Sequence, residues 1–313
     1  MYFSFYETSK LAIIYCLKYF NVKICLLFFL LLGALCSFSE YHDFLPKPSP
    51  ELVHHTYYII SYNEKFEQAN WVYYELTDSM VIEGGQERSN KFKVDPEVPT
   101  GSAKSSDYTK SGYDRGHLCP AADMDFDPVA MEESFYMSNI SPQAPEFNRG
   151  IWKDLETEVR VWAQKKHRLY VVTGPVFNDN QGTIGRDQVL VPGYFFKILF
   201  DSDNKHPEMI AFVLPNRKSD RPITDFAVSV DEVEKLTGFD FFSQLPDDEE
   251  NVLESHVNLS GWFDGYEATD RIDSTSASRQ NSENEDNTYF YVMILVILFL
   301  VIAIVILRKS RKH

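Results

Sequence analysis

The sequence predicts a domain of the α+β class in which a mixed β-sheet packs against helices. Five short segments are rich in β-branched and aromatic residues, the composition of core strands. They cover residues 56–62, 71–76, 169–173, 194–200 and 209–214. Between the second and third of them, residues 148–165 carry apolar side chains at helical spacing. These two patterns indicate one folded domain, over residues 51–256.

The five strand segments are expected to form the centre of this domain. Residues 56–62 (TYYIISY) and 71–76 (WVYYEL) are separated by a short polar stretch, so we expect them to pair as neighbouring strands. Residues 169–173, 194–200 and 209–214 read as further core strands.

Two helices are predicted. In residues 148–165 the apolar face consists of Trp152, Leu155, Val159 and Trp162, which indicates an amphipathic helix that begins at Asn148. A second helix is expected after Ser229, which can form a capping box with Glu232, and Gly238 suits its C-terminal end.

The N-terminus has the features of an export signal. An apolar run at residues 24–35 follows Lys18 and Lys23 and precedes small residues around Ser37 and Ser39, the pattern of a secretory signal peptide. We interpret residues 1–39 as a signal peptide that is cleaved or as a signal anchor that is retained. Residues 40–50 are rich in proline and form a linker to the domain.

The C-terminus has the features of a membrane anchor. Residues 289–307 carry no charge and, at 1.5 Å per residue, are long enough for the roughly 30 Å hydrocarbon core of a bilayer. The basic residues of 308–313 indicate a cytoplasmic tail, and the acidic, polar residues 257–288 indicate a flexible stalk. We therefore expect a single-pass membrane protein whose domain is extracytoplasmic: periplasmic, luminal or at the cell surface.

Composition limits how the domain can bind its partners. The chain has 46 acidic and 30 basic residues, a net charge of −16. This charge excludes a protein that holds nucleic acid by bulk attraction, but it leaves room for a local cationic site that also holds a metal. Three of the four cysteines lie in or before the leader, so Cys119 has no disulfide partner within the domain.

Residues 113–123 (YDRGHLCPAAD) contain side chains suited to phosphodiester chemistry. His117 can accept a proton from water at neutral pH, because an imidazole has a pKa near 6.5. Arg115 can neutralise phosphate charge. Further along the chain, the amide oxygen of Asn148 is a hard ligand of the kind that Mg²⁺ accepts. Together these residues predict metal-assisted phosphodiester cleavage.

Each of these residues also has a purely structural interpretation. A lone histidine is more often structural, and an asparagine near a helix start is usually a cap. Glu156 and Arg160 lie four residues apart, so they could form a surface ion pair worth about 0.3–0.5 kcal/mol. On a helical projection, however, both lie to one side of the apolar face, where they could border a cleft together with Asn148.

Residues 111–123 and 139–160 resemble the DNA/RNA non-specific endonucleases, the ββα-metal nucleases related to mitochondrial endonuclease G. The resemblance extends over roughly residues 55–255 and implies a ββα-metal nuclease site that cleaves DNA and RNA. It implies that His117 is the general base and that Asn148 is the sole direct metal ligand. Glu156 would then hold the water shell of the metal.

The resemblance also implies roles for four neighbouring residues. Arg115 would contact phosphate, Arg160 would contact the substrate or network partners, and Asn139 would lie near the scissile phosphate. Asp114 would orient its neighbours. Arg88 is the only arginine in residues 40–114, so it is the candidate for an upstream catalytic arginine found in some relatives.

The expected cofactor follows from the same argument. One metal with mostly water ligands indicates Mg²⁺, with Mn²⁺ as a substitute.

Two other functions remain open from the sequence. The domain could be a non-catalytic, membrane-anchored binding module on the nuclease fold, although the joint presence of His117, Asn148 and Glu156 argues against this. It could also be a hydrolase of small phosphodiesters or nucleotides. Loops such as residues 79–110 would set the substrate specificity, and their sequence does not distinguish these substrates from nucleic acid.

Overall fold

A seven-stranded sheet forms the centre of the fold in the computed structural model, which describes residues 44–202 and 207–264. Its strand order is β1-β2-β3-β6-β7-β8-β9, and every pair of neighbours is antiparallel. The strands are β1 (Leu52–His54), β2 (Tyr58–Asn63), β3 (Gln68–Thr77), β6 (Arg168–Ile184), β7 (Val189–Asp201), β8 (Glu208–Pro215) and β9 (Ala227–Val228). The five predicted strands are confirmed as β2, β3, β6, β7 and β8. The α+β class is confirmed, but the expectation of a mixed sheet is wrong, because the neighbouring strands of this sheet are all antiparallel.

A second, two-stranded sheet pairs β4 (Asp114–His117) with β5 (Ile140–Gln143). Asp114 lies opposite Gln143, and His117 lies opposite Ile140. The sequence motif predicted a site here but not a strand, because Asp-Arg-Gly-His contains no apolar run.

Six α-helices and five short 3₁₀ turns complete the part of the chain that the structure describes. The helices are α1 (Asp78–Ile82), α2 (Pro128–Glu133), α3 (Pro145–Asn148), α4 (Ile151–Lys166), α5 (Val230–Thr237) and α6 (Asp247–Glu254). The 3₁₀ turns cover Ser105–Tyr108, Ala121–Asp123, Met137–Asn139, Ile223–Phe226 and Leu259–Gly261.

The expectation that one helix begins at Asn148 is wrong. Asn148 ends the short helix α3, and the main helix α4 begins at Ile151 after a break at Gly150. A Cβ atom on Gly150 would lie 2.5 Å from the carbonyl oxygen of Glu146, so only glycine allows the backbone to turn this closely. Asn148 therefore lies in a bend and not on the face of α4.

The large sheet is covered on both faces, by α4 on one side and by α5 on the other. Along β3, Val72 and Tyr74 pack in the apolar cluster that includes α4, whereas Trp71 and Tyr73 pack in the cluster that includes α5. We call these two sides the α4 face and the α5 face. Burial of both sides explains why the strands are continuous apolar runs and not alternating ones.

The two predicted helices pack as their patterns indicate. The apolar face of α4 is buried as predicted, at Trp152, Leu155, Val159 and Trp162. For α5, the Ser229 hydroxyl accepts a hydrogen bond from the Glu232 backbone nitrogen at 3.2 Å. Gly238 ends α5 in the left-handed conformation, with φ of 77°.

The folded part extends beyond residues 51–256 at both ends. Phe44, in the expected linker, packs with its ring centre 5.0 Å from that of Tyr170. Trp262, in the expected stalk, is buried, and its ring centre lies 5.4 Å from that of Trp162. Both boundaries were placed too narrowly because large aromatic side chains bury apolar area even within polar segments.

The predicted leader at residues 1–39, most of the predicted stalk, the predicted anchor at 289–307 and the tail at 308–313 lie outside the described residues. Within residues 44–202 and 207–264, none of the helices combines the length and the apolar character needed to span a bilayer.

Candidate active site

His117 ends strand β4 and is buried, with 7% of its surface exposed. Its Nε2 atom has no hydrogen-bond partner among the described residues. The ring packs against Phe135 and Phe92, with ring centres 4.8 and 5.6 Å away. Burial, with the positive charge of Arg88 as a second cause, lowers the pKa of His117 to about 3. The imidazole is therefore neutral at pH 7 with one ring nitrogen unprotonated, and its pKa lies well below the value near 6.5 that the sequence argument assumed.

Gly116 leaves room for the side chain of Gln143 on the neighbouring strand. A Cβ atom on Gly116 would lie 2.1 Å from Oε1 of Gln143 and 2.4 Å from its Cγ. Gln143 is fully buried, yet neither atom of its amide group has a hydrogen-bond partner in the described part of the chain. The glycine of the motif is thus required by close packing beside His117.

Asp114, at the other end of β4, binds the bend that presents Asn148. Its Oδ2 accepts hydrogen bonds from Nδ2 of Asn148 at 3.0 Å and from Nε of Arg149 at 2.8 Å. Its Oδ1 accepts from Nη2 of Arg149 at 2.6 Å. Burial raises the pKa of Asp114, but the hydrogen bonds from Arg149 and Asn148 outweigh burial, and the net pKa is lowered. An ionised Asp114 therefore fixes the orientation of the Asn148 amide.

The two candidate arginines stack on the aromatic rings around His117. The guanidinium carbon of Arg115 lies 5.4 Å from the ring centre of Phe92, and its Nη2 donates to the carbonyl of Ser105 at 2.8 Å. The guanidinium carbon of Arg88 lies 5.1 Å from the ring centre of Phe135. Such contacts hold a cation in place while leaving other N–H groups available. The structure thus brings Arg88 and Arg115 to the same aromatic group as His117.

Glu156 lies on α4, is partly buried, and forms no hydrogen bond with any described residue. Burial, together with the negative charge of Asp123, raises its pKa to about 7. The positive charges of Lys197, Arg160 and Arg88 oppose this rise. Because Arg88 influences the pKa of both Glu156 and His117, the two groups share one electrostatic environment.

Arg160 pairs with Asp123, and the surface ion pair considered for Glu156 and Arg160 is not formed. Nη1 of Arg160 donates to Oδ1 of Asp123 at 2.8 Å, and the hydroxyl of Tyr74 donates to Oδ2 at 2.9 Å. The Asp123 side chain is only 1% exposed. The resemblance implied that Arg160 contacts either the substrate or network partners, and this geometry favours the second role.

Asn139 is fully buried, and its amide is saturated by backbone groups. Nδ2 donates to the carbonyls of Cys119 and Ser134, both at 2.9 Å, and Oδ1 accepts from the Cys119 nitrogen at 2.9 Å. These bonds hold the chain that follows His117. They favour a positioning role over the direct contact near the scissile phosphate that the resemblance implied. Cys119 itself is a buried free cysteine.

Lys197 is a site residue that the sequence reasoning missed. It lies on β7, is fully buried, and its Nζ has no hydrogen-bond partner in the described chain. The ammonium lies 4.9 Å from the ring centre of Trp152. Burial lowers its pKa, whereas the charges of Glu156 and Asp123 raise it. A lysine inside the apolar run of residues 194–200 was the signal in the sequence, since an unpaired charge in a core strand is costly.

Two oxygen groups at this site fit a hard divalent cation. The Asn148 amide is oriented through its nitrogen, and its oxygen accepts no hydrogen bond from residues 44–202 or 207–264. The Glu156 carboxylate is likewise free of hydrogen bonds there, and both side chains are partly buried. A neutral and an anionic oxygen are ligands of the type that Mg²⁺ and Mn²⁺ accept.

Comparisons with known proteins identify the family of this chain. The profile of the family described as DNA/RNA non-specific endonuclease matches residues 40–248. The chain belongs to this family. Membership makes it a nuclease, a hydrolase that acts on phosphodiester bonds.

Individual relatives support the assignment to the DNA/RNA non-specific endonuclease family. Nuclease C1 of Cunninghamella echinulata var. echinulata is 39% identical over 220 residues, which covers 65% of this chain and 84% of the relative. The mitochondrial nuclease of Saccharomyces cerevisiae is 33% identical over 236 residues, or 68% and 72% of the two chains. A chain in a crystal structure of the EndoG/EndoGI complex superposes with a TM-score of 0.59 at 32% identity, covering 63% of this chain and 87% of that one.

Proposed function

We propose that the chain is a metal-dependent endonuclease that hydrolyses phosphodiester bonds in both DNA and RNA. The observation that carries this proposal is the neutral imidazole of His117 at one end of β4, while Asp114 at the other end holds Asn148. This arrangement supports a role for His117 as proton acceptor and for Asn148 as oxygen ligand, because one strand and the bend bound to it carry both.

In this mechanism His117 is the general base. A neutral imidazole has one unprotonated ring nitrogen, which accepts a proton from the attacking water. A pKa of about 3 describes the buried ring without substrate. A bound phosphodiester brings negative charge beside the ring, which favours the imidazolium and raises its proton affinity when the base acts.

Asn148 and Glu156 are the residues that would hold the divalent cation. The Asn148 oxygen would be the direct ligand, and the Glu156 carboxylate would accept hydrogen bonds from the metal-bound water molecules. Mg²⁺ is the proposed cation and Mn²⁺ its substitute. When bound, it supplies Lewis-acid polarisation of the phosphate and stabilises charge on the leaving oxygen.

Arg115 and Arg88 are proposed to bind the substrate phosphates. The aromatic rings of Phe92 and Phe135 fix the two guanidinium groups beside His117. Positive charge preorganised in this way stabilises the negative charge that develops on the phosphate. In a chain with a net charge of −16, such local contacts supply the substrate affinity that bulk attraction does not. Arg160 and Asp123 act as support for Glu156.

We further propose that the nuclease domain is exported and held at a membrane. The uncharged run at residues 289–307, followed by the basic residues 308–313, supports a single-pass anchor with a cytoplasmic C-terminus. The apolar run at residues 24–35 supports a signal peptide or signal anchor. Carbonate washing of membranes tests this topology, because an anchored chain stays in the pellet and a peripheral one is released.

Incubation of the purified full-length chain with plasmid DNA and with a long single-stranded RNA tests the activity. We expect both to be cut internally in Mg²⁺ or Mn²⁺ and neither to be cut in excess EDTA. Activity on small phosphodiesters alone would contradict the proposed substrate class. Nucleic-acid binding without cleavage would instead support a binding module.

A further inference from the structure

Helices α5 and α6 bring three carboxylates together on the α5 face, the side of the sheet opposite α4. The ligand oxygens of Asp231, Glu234 and Glu254 all lie within 4.8 Å of one another. In the described part of the chain, this is the one group of three histidine, cysteine or acidic side chains that approach so closely.

Glu254 distinguishes this cluster from an ordinary acidic surface. It is buried, with 4% of its surface exposed, and its Oε1 atom has no hydrogen-bond partner among the described residues. A buried carboxylate with an oxygen that accepts no hydrogen bond is disfavoured unless a cation or a proton compensates its charge. Asp231 and Glu234 are half-buried, so an ion can reach the group from solvent.

The strongest electrostatic influences on Glu254 come from other acidic residues. The four charged neighbours that affect it most, Glu234, Glu250, Asp231 and Asp240, are all acidic. Glu254 also lies in the last turn of α6, which contains no basic residue. The partial negative charge at a helix C-terminus adds to the same potential. Burial and these neighbours raise the pKa of Glu254 to about 9.

We propose that Asp231, Glu234 and Glu254 form a Ca²⁺ site that is separate from the active site. Three carboxylates offer up to six oxygen atoms and no nitrogen or sulfur, which is the ligand set of a hard cation. Ca²⁺ fits this set better than Mg²⁺, because it accepts six to eight oxygens in flexible geometry and tolerates bidentate carboxylates.

Two features hold the side chains of this cluster in position. The Glu234 side chain accepts a hydrogen bond from the Phe241 nitrogen at 2.8 Å, which fixes its carboxylate. Asp231 and Glu234 lie three residues apart on α5 and share one face of it. An ion bound between α5 and α6 would therefore tie α6 to the sheet and stabilise the C-terminal part of the domain.

Titration calorimetry with CaCl₂ alone tests the site in the EDTA-stripped, full-length chain. The background variant Asn148→Ala removes the proposed ligand of the active-site metal, so any Ca²⁺ that still binds does so elsewhere. We expect one Ca²⁺ per chain to bind this variant, with a dissociation constant below about 1 mM. Adding Glu254→Gln should weaken that binding at least about tenfold. Glu254→Gln preserves the shape of the side chain and introduces no charge, so the variant is expected to fold.

Asp248→Asn is the matched control. It makes the same carboxyl-to-amide change at an exposed position on α6, and its Ca²⁺ affinity should stay within about twofold of the parent, because exposed charges are screened. Millimolar Ca²⁺ should raise the melting temperature of the parent by roughly 2–4 °C and leave that of Glu254→Gln unchanged.

Two results would overturn the proposal. One is the absence of Ca²⁺ binding when Asn148 is replaced, and the other is unchanged binding in Glu254→Gln. If Asn148→Ala does not fold, the number of Ca²⁺ ions bound by the unmodified chain is compared with the number bound by Glu254→Gln alone. The proposal requires that Glu254→Gln bind one Ca²⁺ fewer per chain. DNA cleavage by Glu254→Gln should equal that of the unmodified chain, so failure of this site leaves the proposed nuclease function unaffected.

Discussion

The side-chain amide of Asn148 donates a hydrogen bond to Oδ2 of Asp114 over 3.0 Å, although 34 residues separate them. The same carboxylate also binds Arg149. Because Asp114 and His117 are the two ends of β4, this contact fixes the proposed metal ligand relative to the proposed base. Asp114 is thus the link between the two halves of the site.

Replacement of this link should impair the metal site before it impairs the fold. Asp114→Ala leaves the Asn148 amide free to rotate, so we expect the apparent Mg²⁺ affinity measured from cleavage rates to fall about 10–100-fold. Asp154→Ala removes an exposed carboxylate from α4 and should change this affinity little. Equal effects of the two variants would show that only overall charge matters.

Lys197 should matter for activity without touching the substrate. Lys197→Met removes a buried positive charge that lowers the pKa of Glu156, so the ionised fraction of Glu156 at pH 7 falls. We expect kcat/KM to drop most at pH 6–7 and to recover in part towards pH 9, with the acidic limb displaced by at least about half a pH unit. Lys153→Met, at an exposed position on α4, is the control. A pH-independent loss would indicate damage to packing instead.

Gly116 should be replaceable only if Gln143 is shortened. In Gly116→Ala the new methyl group meets the buried Gln143 side chain, so we expect a loss of about 1–3 kcal/mol in the free energy of unfolding. Gly116→Ala combined with Gln143→Ala should recover most of that loss in denaturant titrations. No recovery would mean that the backbone, and not the side-chain contact, requires glycine at this position.

The low pKa of His117 predicts sensitivity of the fold to acid. The unfolded chain takes up a proton below about pH 6.5, whereas the folded chain does so only near its pKa of about 3. Stability therefore falls as the pH drops through this window. Between pH 7.5 and 5 the unmodified chain should lose about 2 kcal/mol more than His117→Gln does, measured by denaturant unfolding. Equal losses in both chains would place the pKa of His117 near its ordinary value.

Much of the fold could be predicted because it depends on local composition. Five strands were visible as β-branched and aromatic runs, and the buried face of α4 was visible in the spacing of Trp152, Leu155, Val159 and Trp162. The bend at Gly150 could not be predicted, since it depends on a close approach to the Glu146 carbonyl that spacing does not encode.

The residue types of the site could be predicted, but not their partners. Arg160 was paired by spacing with Glu156, four residues away, whereas the fold supplies Asp123, which is 37 residues distant. Lys197 lies on a central strand and reaches the site only because α4 packs across β7. Tertiary packing sets these contacts, so the sequence can mark Lys197 as unusual within an apolar strand but cannot show which groups it meets.

The central claim is that His117 accepts the proton while Asn148 holds the metal. Cleavage of plasmid DNA in saturating Mg²⁺ by His117→Ala, with Mg²⁺ binding and melting temperature measured on the same preparation, tests it most directly. We predict that the rate falls by at least about 10²–10⁴, the range expected for loss of a general base, while metal binding and melting temperature stay at the level of the unmodified chain. Cleavage at the rate of the unmodified chain would contradict the account.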